Sequence, residues 1–172
     1  MSQEIRLPAI VMRTIESSSP PAEILPASGK PLRIVIVYED LPARLRMQNA
    51  FWMLTRKLSK EYDFECFWYG FSELNHSRVA ARAQVAAVAA DLILFSVNVE
   101  TEPPESVKSW IESWIELKAT QDAAMAALLN RAKRPGKHKM RIWTYLNYMA
   151  QRAGMSFLPE IIGTGRLCGQ AL

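Results

Sequence analysis

At 172 residues the chain has the length of one ordinary domain, and 49% hydrophobic residues against 22% charged exclude a wholly disordered polymer. Two cysteines and two histidines exclude a disulfide-built scaffold and leave too few ligands for a zinc centre, so no metal is expected. The net charge of +4 is local: six of the 21 basic residues stand between Arg131 and Arg141, leaving 15 against 17 acids elsewhere, so no basic face spans the domain.

Residues 1–31 hold half of the ten prolines together with Ser17-Ser18-Ser19 and read as an arm ahead of the domain. Leu7, Ile10, Val11 and Ile15 are its apolar residues, expected to dock on the body or on a neighbouring subunit. The first residues lack a secretory pattern, because Pro8 and Arg13 break and close the short apolar stretch after Arg6. No apolar run approaches the roughly 20 residues needed to cross a bilayer. A cytoplasmic protein without membrane contact is expected, with Cys66 and Cys168 as free thiols.

From Leu32 the pattern alternates over a domain spanning 32–160, followed by a tail over 161–172. Leu32 to Tyr38 is a β-branched apolar run suited to a strand covered on both faces. Met47, Ala50, Phe51, Leu54 and Leu58 then recur at helical spacing, and Phe64 to Tyr69 forms a second strand. An Ala-rich helix is predicted from about Ser77 to Ala90, and a third strand over Asp91 to Val97. After Pro103-Pro104 a helix carries Val107, Trp110, Ile111, Trp114 and Leu117 on one face. Ala123 to Leu129 sits where the alternation requires a strand. The last helix runs from Ile142 to Ala153, striped by Ile142, Tyr145, Leu146 and Met149 and ended by Gly154. Met155 to Leu158 is read as a short edge strand stopped by Pro159.

Five β-α units predict an α/β three-layer sandwich with a five-stranded parallel sheet in the order 2-1-3-4-5. Ligands in such sheets sit beyond the carboxyl ends of the first and third strands, where this chain supplies Glu39, Asp40, Ser96 and Asn98. Glu39 and Asp40 suit a hydrated hard cation, while Asp40 before Leu41-Pro42 also suits a helix cap.

IVIVYED, DLILFSVN and AQRAGMSFLP resemble the first strand, third strand and last-strand approach of a response-regulator receiver domain, over about Leu32 to Pro159. The resemblance implies a receiver/flavodoxin-like fold and a signalling context of bacterial type. It also implies that the phospho-accepting aspartate falls on Ser96, the hydroxyl position on Asn130 and the lysine on Leu158. A hydroxyl cannot form an acyl phosphate, and leucine cannot neutralise phosphoryl charge, so of the functional set only Glu39 and Asp40 match.

The stretch FSVNVETEPPESVKSWIESW is similar to the loop and helix after the third strand of flavodoxin-like FMN reductases. The loop after the first strand departs from that pattern. A flavin phosphate needs N–H or hydroxyl donors at a helix N-terminus, and Glu39-Asp40-Leu41-Pro42 offers two carboxylates and a residue without an N–H. No cofactor is expected.

Ser96 lacks the flanking glycines of a nucleophile elbow, and His76 and His138 have no partners at metal spacing. Arg131, Lys133, Arg134, Lys137 and Lys139 offer an anion contact in a solvated loop without stacking aromatics. Trp110, Trp114, Trp143 and Tyr148 suit either the core or a subunit contact, the inward stripe favouring the core. The expected function is a non-catalytic, receiver-like interaction module that forms a homo-oligomer. An FMN-dependent reductase is the alternative, and nucleic-acid contact through 131–141 a further one.

Overall fold

A computed structural model describes residues 11–12, 29–98, 100–118, 123–130 and 141–162. The elements in chain order are β1 (Val11–Met12), β2 (Leu32–Tyr38), α1 (Leu41–Leu58), β3 (Phe64–Gly70), α2 (Ser77–Ala89) and β4 (Leu92–Asn98). They continue with α3 (Glu105–Lys118), β5 (Ala124–Asn130), α4 (Arg141–Arg152) and β6 (Ser156–Ile162). All strand pairs are parallel, and the sheet runs β1-β3-β2-β4-β5-β6. Counting only the five long strands, this is the order 2-1-3-4-5.

Period-two alternation divides the strands between two faces. Val35, Val37, Tyr69, Ile93, Phe95, Val97, Met125 and Leu129 point to one side, where α2, α3 and α4 cover them. Ile34, Ile36, Cys66, Leu94 and Leu128 point to the other, where Met47 and Phe51 of α1 pack. Trp110 and Trp114 lie inside the first layer with ring centroids 5.5 Å apart, and Phe95 packs 6.5 Å from Trp110. Trp143 is half-buried against Phe157 and Tyr148 is exposed, so the four aromatics form no shared outer surface.

Several local rules hold. Asp40 caps α1, with Pro42 in its first turn. Gly154, at φ 66°, closes α4 with Met155 N–H donating to Ala150 O and Gly154 N–H to Gln151 O, both carbonyls that helix geometry leaves free. Other details differ from expectation. Leu117 points to water, and Ile115 and Lys118 complete the buried side of α3 instead. Lys118 is fully buried because its Nζ donates to Val88 O and Ala90 O, the free carbonyls ending α2.

The strand expected to stop at Pro159 runs on to Ile162, with Pro159 opposite Ala127. At a sheet edge the missing proline N–H interrupts no ladder when it falls on the unpaired side. Within the stretch read as an arm, Val11–Met12 adds a sixth strand against Glu65 and Cys66. Leu7, Ile10, Ile15, His138, Cys168 and the tail from 163 lie outside the described residues.

A candidate switch-point site

The chain leaves β2 into α1 on one face of the sheet and leaves β4 toward α3 on the other. The carboxyl ends of these neighbouring strands are therefore where the crevice of a doubly wound sheet opens. Glu39, Asp40, Ser96 and Asn98 all come together here.

Glu39 spans the gap. Its Oε2 accepts from the Asn98 N–H at 2.8 Å and from Asn98 Nδ2 at 3.0 Å, while Oε1 accepts from Thr101 Oγ1 at 2.7 Å. The Glu39 N–H in turn donates to Ser96 O at 3.1 Å. Asn130, at the end of β5, passes the network one strand further by donating Nδ2 to Asn98 Oδ1 at 3.0 Å. One carboxylate thus laces β2 to β4, and Asn98 ties β4 to β5. Hydrogen bonds to an ionised acceptor are the stronger kind, each worth about 1.5–3 kcal/mol.

The other two groups are equally engaged. Asp40 Oδ1 accepts from the Ala43 N–H at 2.8 Å, and the Asp40 carbonyl accepts from Arg44 N–H at 2.9 Å. Ser96 is fully buried and donates Oγ to Ala43 O at 2.7 Å, which fixes the first turn of α1 against β4. Leu158 lies level with Ala126 and Leu94, below the crevice, and is exposed.

A second carboxylate, which the sequence reading did not single out, organises the β3 side. Glu73 Oε2 accepts from the Gly70 N–H and, at 3.3 Å, from the Tyr38 hydroxyl. Burial and then the Glu73 charge hold the Tyr38 hydroxyl above its ordinary pKa. The approach at Gly70 is close: a Cβ there would stand 3.0 Å from the Tyr38 ring and 3.2 Å from Glu73 Oε2, so a larger residue needs those side chains to shift. The available signal was the glycine ending a strand with a glutamate three residues later. Thr101 gave no signal, because its role depends on a partner 62 positions away.

Among the described residues no group of three or more His, Cys, Asp and Glu is placed to hold a metal, and His76 is exposed. No described helix is long and apolar enough to cross a membrane. The basic positions Arg131, Lys133, Arg134, Lys137 and Lys139 lie outside the described residues. Arg141, at the start of α4, pairs with Glu102 at 3.2 Å.

No family model matches the sequence, and no curated protein matches it. Solved structures do. An oxidoreductase from Corynebacterium diphtheriae superposes with a TM-score of 0.56 at 12% identity, covering 78% of this chain and 82% of that one. A flavodoxin from Streptococcus pneumoniae gives 0.51 at 8% identity, with 79% and 88% covered. The fold is flavodoxin-like. At such identities the likeness concerns the path of the backbone and carries no site residue across. Rubredoxin oxygen:oxidoreductase from Desulfovibrio gigas matches at 0.50 and 11% identity over 81% of this chain but only 32% of its own.

The crevice residues do not fit a flavin phosphate. Such a group would be held by free N–H donors opening α1, but the Ala43 N–H is already bound by Asp40, Pro42 has none, and two carboxylates stand at the entrance.

Proposed function

We propose that this chain is a non-catalytic binding module: a flavodoxin-like scaffold, receiver-like in its strand-end acidic pair, whose switch-point crevice is closed by its own side chains. The observation that carries this reading is the internal use of the Glu39 carboxylate, with both oxygens committed to donors from Asn98 and Thr101. A ligand entering between β2 and β4 must first break three hydrogen bonds to an ionised group and then face its charge. The aspartyl-phosphate route has no acceptor either, because Ser96 stands at the matching position with its hydroxyl buried on Ala43 O.

Two incubations of the full chain test this. One uses FMN, followed by absorption and fluorescence; the other uses acetyl phosphate with Mg²⁺, followed by intact mass. Unchanged flavin spectra and unchanged mass are expected. Stoichiometric flavin uptake, or one phosphoryl group gained on an aspartate or glutamate, overturns the reading.

A further inference from the structure

Four of the nine large apolar side chains left exposed among the described residues belong to α1: Leu41 at 64%, Leu45 at 52%, Trp52 at 48% and Met53 at 55%. At about 3.6 residues per turn, Leu41, Leu45 and Trp52 fall within an arc of about 40°, away from the Met47 and Phe51 side that packs on the sheet. A solvent-facing helix surface ordinarily carries mixed charge in these places.

The charges of α1 are as uneven as its apolar residues. Arg44, Arg46, Arg56 and Lys57 stand in a helix that contains no acid. Lys30, Arg33, Lys108, Arg141 and Arg152 have carboxylate partners, whereas among the described residues none of the four α1 cations forms an ion pair, and outside α1 neither do Lys60, Arg78 and Arg82. The Arg56 guanidinium lies over the Trp52 ring at 4.7 Å, holding a cation beside the apolar arc. Arg46 is half-buried, with Nε and Nη2 shut off from water and no acceptor for either. Buried N–H groups without partners are rare, and a guanidinium fork fits a carboxylate.

We propose that the solvent-facing side of α1 is the docking face for an amphipathic helix of a protein partner. Its apolar side covers Leu41, Leu45 and Trp52, and its flanking carboxylates meet Arg46 and Arg56. This names the partner class for the module described above and rests on that reading. A second copy of the chain is a poorer occupant. A two-fold contact through α1 sets four cations against four, and stacking α1 on the acidic α3 of a neighbour leaves the same faces free for the next copy.

The test titrates the ¹⁵N-labelled full chain with a synthetic amphipathic peptide bearing leucines on one face and glutamates on its flanks. Amide shifts are expected along α1, with about tenfold weaker binding in Trp52→Glu and in Leu45→Glu. Both substitutions are on exposed positions, and unchanged circular dichroism confirms folding. Arg46→Ala weakens binding as well, and the same peptide with lysines for glutamates does not bind. The proposal is overturned by no binding to the acidic peptide, by shifts confined to other elements, or by affinity indifferent to peptide charge. It is equally overturned if phosphatidylglycerol vesicles sediment the protein and Trp52→Glu prevents it, or if Trp52→Glu dissolves a self-association of this chain. Failure here with no flavin uptake leaves the closed crevice standing, whereas flavin uptake defeats the crevice reading whatever the peptide does.

Discussion

The two faces of the sheet are built to different standards of closure. On one, three helices enclose Trp110, Trp114, Phe95 and a continuous layer of strand residues, most with no exposure at all. On the other, α1 is the one helix among the described residues, resting on Ile34, Ile36, Cys66, Leu94 and Leu128, while Leu158 of β6 is left 60% exposed on that side. A parallel sheet needs cover on both faces. The difference places the densest packing on the three-helix side, and on the α1 side the surface that still has apolar area and unpaired charge to offer.

The comparison breaks most readily at its tryptophans. Trp114→Ala, in the three-helix layer, is expected to lower unfolding free energy by about 3–5 kcal/mol in urea titrations, while Trp52→Ala on the outer side of α1 changes it by about 0.5 kcal/mol or less. Equal losses would mean that α1 is covered in the folded chain.

A pH titration sharpens the same contrast at Cys66, on the α1 side. Burial, then the nearby Glu65 charge, pushes its thiol up to about 12 from 9.0. The folded state therefore keeps a proton that the unfolded chain has lost above pH 9, so stability present below that pH falls as pH rises toward 12. Over the first pH unit above 9 the loss is about 1 kcal/mol, and Cys66→Ala flattens the slope; an unchanged slope contradicts the assignment. Tyr69, on the opposite face, is also pushed up to about 12, chiefly by burial, and Tyr69→Phe separates its share.

At the entrance to α1, Asp40→Ala removes the cap and is expected to cost about 1 kcal/mol. Asp40→Asn keeps an oxygen acceptor and recovers most of it.

Much of this architecture was legible in the chain. The β-branched runs at Leu32 and Asp91 and the apolar spacing after Met47 announced buried strands and an amphipathic helix, because burial and periodicity are local properties. Even AAMAALL (residues 123–129), apolar but rich in alanine, became a strand, since the alternation around it outweighed alanine's helical preference. Contacts between distant segments were not legible. Two residues at Val11 form a strand only because Glu65 and Cys66 are there to pair with. Leu117 and Ile115 stand about 160° apart on the helix wheel, on opposite flanks of Trp114, and only the neighbouring elements decide which flank is covered. Glu39 and Asp40 were recognisable as strand-end carboxylates. That one turns inward to Asn98, 59 positions away, while the other caps its own helix, follows from the assembled sheet.

Hydrogen exchange at the Asn98 amide tests the closed crevice most directly. With its N–H held by Glu39 Oε2, this amide is expected to exchange as slowly as the β4 core, and to exchange much faster in Glu39→Ala while Ile93 and Phe95 stay protected. Rapid exchange of Asn98 in the unaltered chain would show an open crevice, and would contradict the account.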